Sequence, residues 1–476
     1  VNSYSARLNV VFPPAPGTPT FTTQPISQNI STGQNATLTV AATAAGGVTY
    51  QWEENGAPIA GATGTTYTIT NATVPDEGYY TAIATNPSNG AVASSEGALI
   101  GVSQTPGIPS ISTQPASQKV APGATVVFNA VCPQSGSSYQ WYHNGAPIFD
   151  SPGQSPSGCQ TPTLVLSRTT IYDAGDYECL INDGGSIATS PATLTVAATG
   201  DPGRLVNISC RSNVGTGGNI LIAGFALGGT GTAGSEQVLI RGSGPALQQF
   251  NITGWLADPS LDLFDASSVS IATNSGWEGS PPISTAASTV GAFAWTSSTS
   301  HDSALVQNLE SGAYTAQISG ASNDTGVALA EVYDVTTRTA YSATSPRLIN
   351  ISARVQVGTG SNILIAGFVV GGSTSRTVLI RASGPALSAF GVTGVLAKPA
   401  VSLYNSSGTM ILSNNGWDAN PQIAATAASV GAFSWGSSAT PDSALLVTLP
   451  PGAYTAQVNG NGGGIGIALA EVYDVP

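Results

Sequence analysis

Residues 163–181 read TLVLSRTTIYDAGDYECLI. A four-residue apolar run gives way to a polar turn, and then Asp173, Gly175, Tyr177 and Cys179 fall at alternate positions. A period of two is that of an extended chain, whose successive side chains point to opposite faces. Upstream, VVFNAVC ends at Cys132 and YQWYHNGAPI carries Trp141; downstream, SPATLTVAA closes the pattern. Short alternating runs separated by Gly, Pro, Asn and Ser predict strands joined by tight turns, and the chain is expected to be all-β.

Cys132, Trp141 and Cys179, with Tyr177 two residues before the second cysteine, have the spacing of an immunoglobulin sandwich. The segment resembles the bacterial Ig-like modules that occur in tandem in large secreted and surface proteins. That resemblance implies a Cys132–Cys179 bridge under Trp141, a role in spacing or adhesion, and no catalytic residue. Residues 19–103 repeat the plan around Trp52, with Ala42 and Ala82 at the cysteine positions. The two Ig-like domains are therefore placed at 19–103 and 109–198.

The rest of the chain is a duplication. RLVNISCRSNVGTGGNILIAGFALGG from 204 matches RLINISARVQVGTGSNILIAGFVVGG from 347. The match continues through VLIRGSGPAL and VLIRASGPAL, NSGW and NNGW, VGAFAW and VGAFSW, and ALAEVYDV in both. A period of roughly 140 residues is too long for a stacked solenoid unit. Each copy reads as a jelly-roll-like sandwich domain with its own core, at 203–336 and 346–476, its first two strands joined by GTGGN or GTGSN hairpin loops. A short helix is expected near PQIAATAASVGAF (421–433). The two copies resemble C-terminal repeats of very large exported proteins of environmental bacteria, a resemblance that implies an address and an architecture but no reaction.

Composition narrows the function. Among 476 residues only 8% are charged, with 12 Lys+Arg against 25 Asp+Glu and a net charge of -13. That balance offers no basic patch to a phosphate backbone, so nucleic acid is excluded as a partner. The longest apolar stretch, NILIAGFVVGG at 362–372, is strand length and far short of the ~18 to 20 residues of a membrane helix. His143 and His301 lie far apart with no metal-ligand spacing near them, and no nucleophile elbow, triad or paired acids stand out. No cofactor, no metal and no catalytic site are expected.

Four residues invite a binding-site reading. Arg241 and Arg381 sit in apolar VLIR runs, Glu331 and Glu471 in apolar ALAEVYDV runs. Either they form structural ion pairs, because an unpaired charge inside a sandwich costs several kcal/mol or more, or they line a site for an anionic or sugar ligand. Trp277 and Trp417 are candidates for sugar stacking, against the plainer reading as packing residues. Cys159 and Cys210 are extras to their respective plans; a bond between them would clamp the second Ig-like domain to the first repeat, and unpaired or intermolecular thiols are the alternative.

The chain opens with VNSYSARLNVVF, followed by a Pro/Gly linker at 13–18. Ala6, Leu8 and Val10 align with Ala192, Leu194 and Val196 of the last strand of the second Ig-like domain. Residues 1–12 are then either the remnant of a preceding module or a donor strand, with Leu8, Val10 and Phe12 filling pockets of a neighbouring subunit. The expectation is an extracellular or bacterial cell-surface structural subunit that polymerises head to tail and adheres to surface glycans or other cells. The alternative is a carbohydrate-binding accessory region of a larger secreted enzyme.

Overall fold

The computed structural model describes residues 16–103, 110–134, 136–151, 155–183, 185–295, 297–337, 341–342, 344–436 and 440–476. The donor-strand residues Leu8, Val10 and Phe12, and the stretch QTPGIP (104–109) that links the two Ig-like segments in the sequence, lie outside these. The architecture is a series of β-sandwiches, with short helices at Pro281–Val290 and Pro421–Ser429. Among the described residues no helix is long and apolar enough to cross a membrane, which says nothing of a β-barrel.

Each Ig-like domain packs small β-sheets against one another. In the second, one sheet runs Gln118–Val120, Ala192–Val196, Gly175–Asn182, Ser138–His143, Ala146–Pro147, and the other pairs Val126–Asn129 with Thr163–Leu166. Trp141 is fully buried and its indole donates to the Thr161 carbonyl at 2.9 Å. Tyr177 stacks on Phe128 at 4.8 Å and donates to the Asp173 carbonyl at 2.8 Å, the corner expected from its place two residues before Cys179. The first domain repeats this with Trp52 bonded to the Gly64 carbonyl and Tyr80 to that of Asp76. Its cysteine positions hold alanines, and packing alone fills the space: Trp52, Ala82 and Leu38 are all fully buried.

The expected bridges are not formed: all four cysteines are free thiols. Cys132 Sγ turns away to Gln134 Oε1 at 2.7 Å, while Cys179 stays in the core opposite Trp141. The Cys159–Cys210 clamp fails for a topological reason. Cys159 is buried in the second Ig-like core beside Cys132 and Cys179, whereas Cys210 lies in the core of the repeats, in register with Ala330 on one side and Ala366 on the other. The two thiols belong to separate cores, and Cys210 simply fills the place that Ala353 takes in the second copy.

The two repeats do not keep separate cores. The first strand of repeat 1, Arg204–Val214, pairs along one edge with that repeat's last strand, Gly326–Asp334, and along the other with Leu364–Gly371 of repeat 2. Reciprocally, Arg347–Val357 pairs with Gly466–Val475 of its own repeat and with Leu221–Gly228 of repeat 1. The GTGGN and GTGSN loops therefore are not hairpin turns. Each carries the chain from one strand to another that pairs across the molecule. The exchange needs close approach: Gly224 lies opposite Ser352 and Gly367 opposite Ser209, where an added Cβ would come within 2.6 and 2.5 Å of the serine hydroxyls. One apolar core results, containing Leu205, Ile208 and Phe225 together with Leu348, Ile351 and Phe368.

Order along the chain is not order in space. The second Ig-like domain is followed by repeat 1 but docks on repeat 2. Val127 and Val165, on the outward side of its smaller sheet, pack with Leu379, Ile423, Leu446 and Val475. Around them Val127 N donates to Thr448 Oγ1 at 2.7 Å and Asn129 Nδ2 to the Leu446 carbonyl at 3.0 Å. The equivalent positions of the first Ig-like domain, Thr37 and Thr68, are exposed threonines bonded to each other. The two Ig-like domains meet through Leu99, Tyr142 and Ala188, with Asn29 bonded to both backbone groups of Ala188. Gly97 and Gly145 approach so closely there that a Cβ on Gly97 would stand 2.4 Å from the Gly145 Cα.

Candidate functional site

Each repeat builds one polar cluster beneath its helix, and the two clusters match residue for residue. In repeat 1, Ser235–Ser243 pairs with Gly326–Asp334 so that Arg241 and Glu331 are directly opposite. Arg241 Nη1 lies 3.5 Å from Glu331 Oε2, and both side chains are buried. Nη2 donates to the Phe293 carbonyl at 3.0 Å, and the guanidinium carbon sits 4.3 Å from the ring centres of both Phe293 and Trp295. In repeat 2, Arg381 is 3.4 Å from Glu471, bonds the Phe433 carbonyl at 2.8 Å, and lies 4.4 Å from Phe433 and Trp435. Cation–π contact in a desolvated setting offsets part of the cost of burying the guanidinium, by about 2 kcal/mol.

The carboxylates are held by more than arginine. Tyr333 donates to Glu331 Oε1 at 2.6 Å, and Ser243, itself bonded by the Trp295 indole, reaches Oε2 at 3.4 Å. Tyr473 and Trp435 do the same work around Glu471 and Ser383. Burial pushes the Glu331 and Glu471 carboxyls above the usual carboxylate range, and the facing arginines and tyrosine hydroxyls pull the other way. The phenols of Tyr333 and Tyr473 are raised, by burial first and the adjacent carboxylate second.

Two tryptophans complete each cluster. Trp277 meets Trp295 edge to face at 5.4 Å and 70°, and Trp417 meets Trp435 at 5.4 Å and 76°. They form no flat aromatic row; Trp277 and Trp417 line cavities whose floors are Arg241 and Arg381. Nearby Asp302 is consumed structurally. It accepts from the backbone of Gly244 and Ala246 at the mouth of the GSGPAL turn, as Asp442 does from Gly384 and Ala386. His301 pairs with Asp258 at the surface. Among the described residues no three His, Cys, Asp or Glu side chains are grouped to hold a metal.

The sequence reading paired Arg241 with Glu331 and set Trp277 apart as a stacking or packing residue; it did not bring the aromatics to the arginine, and it missed Phe293. The signal was present: VGAFAW and VGAFSW recur with the arginine strand and the DSAL strand in both copies. An aromatic pair repeated in step with a buried arginine is the pattern of a guanidinium clamp.

The family comparison falls within the first 182 residues. The family model described as "Immunoglobulin domain" matches residues 18–86 and 108–182. Endoglucanase C of Cellulomonas fimi is 29% identical over 190 residues, 38% of this chain and 16% of that protein, so the chain spans about a sixth of the relative's length. The decoration protein of Escherichia phage T5 is 40% identical over 72 residues, 14% of this chain and 44% of that one. The N-terminal Ig1-2 module of the Drosophila receptor protein tyrosine phosphatase DLAR aligns with 21% identity and a TM-score of 0.21, covering 38% of this chain and all of the module. The chain carries two Ig-like domains in tandem, ahead of the duplicated sandwich pair.

Proposed function

We propose that the chain is a non-catalytic presenting module of a secreted or cell-surface protein, in which the tandem Ig-like domains hold the fused repeat pair as a fixed head. The observation that carries this reading is the docked interface of the second Ig-like domain. Val127 and Val165 are buried against repeat 2 where the sister domain has exposed threonines. A free spacer has no use for apolar residues on that face, which would stay in water. The match to a small share of endoglucanase C supports an accessory region of a larger enzyme over a complete one.

The test is to undock the head. Val127→Asp with Val165→Asp puts two carboxylates into an apolar contact, at a cost of several kcal/mol. Small-angle scattering should show a larger maximum dimension, and the segment joining the second Ig-like domain to repeat 1 should become sensitive to protease. An unchanged scattering curve refutes the fixed-head reading.

A second reading is a filament subunit that donates residues 1–12 to a neighbour and adheres through its surface to glycans or cells. Its support is the template strand, Ala192–Val196, in which Ala192 and Leu194 are buried and the alternating Thr193 and Thr195 exposed. Ala6 and Leu8 match that inward pair. Deleting residues 1–12 should abolish fibres while leaving the thermal unfolding of the two Ig-like domains and the fused repeat pair unchanged; fibres that persist eliminate donation.

A further inference from the structure

The two guanidinium clamps are nearly identical in sequence, yet their cavities differ. The one in repeat 1 holds about 390 Å³, within the range of small-molecule sites; its twin in repeat 2 holds about 140 Å³, below it. The difference follows the Ig-like domain. Ile423, a wall of the smaller cavity, is packed in one cluster with Val127 and Val165, and Gly158 of the same domain lies against Gln422 on that helix. Ile283, the corresponding wall in repeat 1, shares its cluster with residues of repeat 1 alone.

We propose that the open cavity of repeat 1 binds a carboxylate-bearing sugar ring, a uronic acid residue, and that the second Ig-like domain closes the equivalent cavity of repeat 2, leaving one site per chain. This goes beyond the presenting role and does not depend on it. The anion-recognising group is Arg241, which lines the cavity and is 1% exposed, with Nη1 left without a hydrogen-bond acceptor. A buried guanidinium N–H without an acceptor loses its hydration uncompensated, and a ligand carboxylate supplies the missing charge-assisted bond.

Glu331 faces the guanidinium as an ion pair at 3.5 Å but does not complete that hydrogen bond: Tyr333 occupies its Oε1 and Ser243 donates to its Oε2. The remaining lining suits a sugar ring better than a flat aromatic acid. Trp277 offers an indole to ring C–H groups, while Ser284 and Ser288 stand exposed on the helix at the rim, within the same lining, to bond ring hydroxyls.

Calorimetry or saturation-transfer NMR on the full chain, with D-galacturonate and D-glucuronate as probes and D-galactose and benzoate as counterparts, tests the assignment. The expected result is saturable binding of a uronate at one site per chain, with galactose and benzoate each at least about tenfold weaker. Trp277→Ala should weaken uronate binding by about tenfold or more, and Trp417→Ala should leave it unchanged. Ser288→Trp, a change on an exposed helix position that fills the mouth without touching the core, should abolish it. Val165→Asp, by undocking the Ig-like domain, should raise the stoichiometry towards two. Failure of both uronates to bind at millimolar concentration, galactose or benzoate binding as tightly, or undiminished binding by the folded Ser288→Trp chain overturns the proposal.

Discussion

If strand exchange between the repeats is the basis of their stability, repeat 2 expressed alone as residues 346–476 should be a homodimer. Removing repeat 1 strips two edges at once: Arg347–Val357 loses Leu221–Gly228, and Leu364–Gly371 loses Arg204–Val214, seven register pairs at each seam. At roughly 1 kcal/mol net per hydrogen bond, and about one bond per pair, the two seams are worth on the order of 10 kcal/mol. The shared core adds to that, since Leu348, Ile351 and Phe368 each lose part of a burial worth about 1.5–3 kcal/mol when left exposed. Association of two chains costs an estimated 4–15 kcal/mol.

A second copy of repeat 2 supplies both missing partners, because LIAGFVVG and LIAGFALG present the same apolar alternation and the same glycine opposite a serine. The gain exceeds the cost in most of that range, and a dimer of micromolar affinity or tighter follows. Sedimentation equilibrium or light scattering at several concentrations measures it, with circular dichroism to verify folding. In the full chain, Gly367→Val, which drives two methyl groups toward Ser209, should lower the unfolding midpoint markedly. A folded monomeric repeat 2, or a full-length Gly367→Val chain as stable as the parent, refutes the exchange as the source of stability.

Two further predictions concern ionisable groups. Glu178, buried where the two Ig-like domains meet, has its carboxyl pushed up to about 7 from an ordinary 4.5 by burial, with a hydrogen bond from Ser27 opposing. The folded state therefore favours the protonated form: the group's contribution is best below about pH 4.5 and is lost as pH rises towards 7, by at most roughly 3 kcal/mol. Glu178→Gln should raise the melting temperature at pH 8 and barely move it at pH 5, and equal shifts at both would count against the burial argument. Burial also raises the Cys159 and Cys210 thiols to about 12, so a thiol reagent at pH 8 should label neither in the native chain and all four cysteines in denaturant. A non-reducing peptide map showing any crosslink would contradict the free-thiol state.

The Ig-like domains were largely legible because their signals are local. Trp52, Trp141, Tyr80 and Tyr177 each bond backbone within 4 to 20 residues, and a short alternating window carries the pattern. The strands of the repeats were equally legible, and their partners were not. Alternation specifies which face of a strand is apolar but says nothing of which neighbour covers its edge. Here the ambiguity is complete, since Gly224 would face Ser209 in a hairpin within its own repeat and faces Ser352 in the exchange. The same residue types satisfy both pairings. The docking face was written more plainly than it was read: TVVF and TLVL break the alternation that TLTV and YTIT keep, and the surplus valines are the ones buried against repeat 2.

Duplication supplied two equivalent outer faces, and the sequence has since dressed them differently. Thr377, Thr448 and Leu446 of repeat 2 are buried, and the two threonine hydroxyls bond each other and the backbone of the Ig-like domain. At the matching places repeat 1 has Gln237 and Asn308, both exposed, and Val306, partly so. Seating an Ig-like domain there would desolvate two amides with no donor or acceptor arranged to meet them, at about 1–3 kcal/mol for each group left unpaired. The asymmetry of the head is thus set by side-chain chemistry as well as by the single Ig-like domain available to dock. It follows that Gln237→Thr with Asn308→Thr in repeat 1 should leave the undisturbed head unchanged, because the domain is already seated on the face that bonds it. In a chain whose repeat 2 face has been spoiled by Thr448→Asn and Leu446→Asp, the same two threonines should restore part of the compact scattering envelope. Failure to restore it would mean that the segment linking the Ig-like domain to repeat 1, and not the face chemistry, selects the docking site.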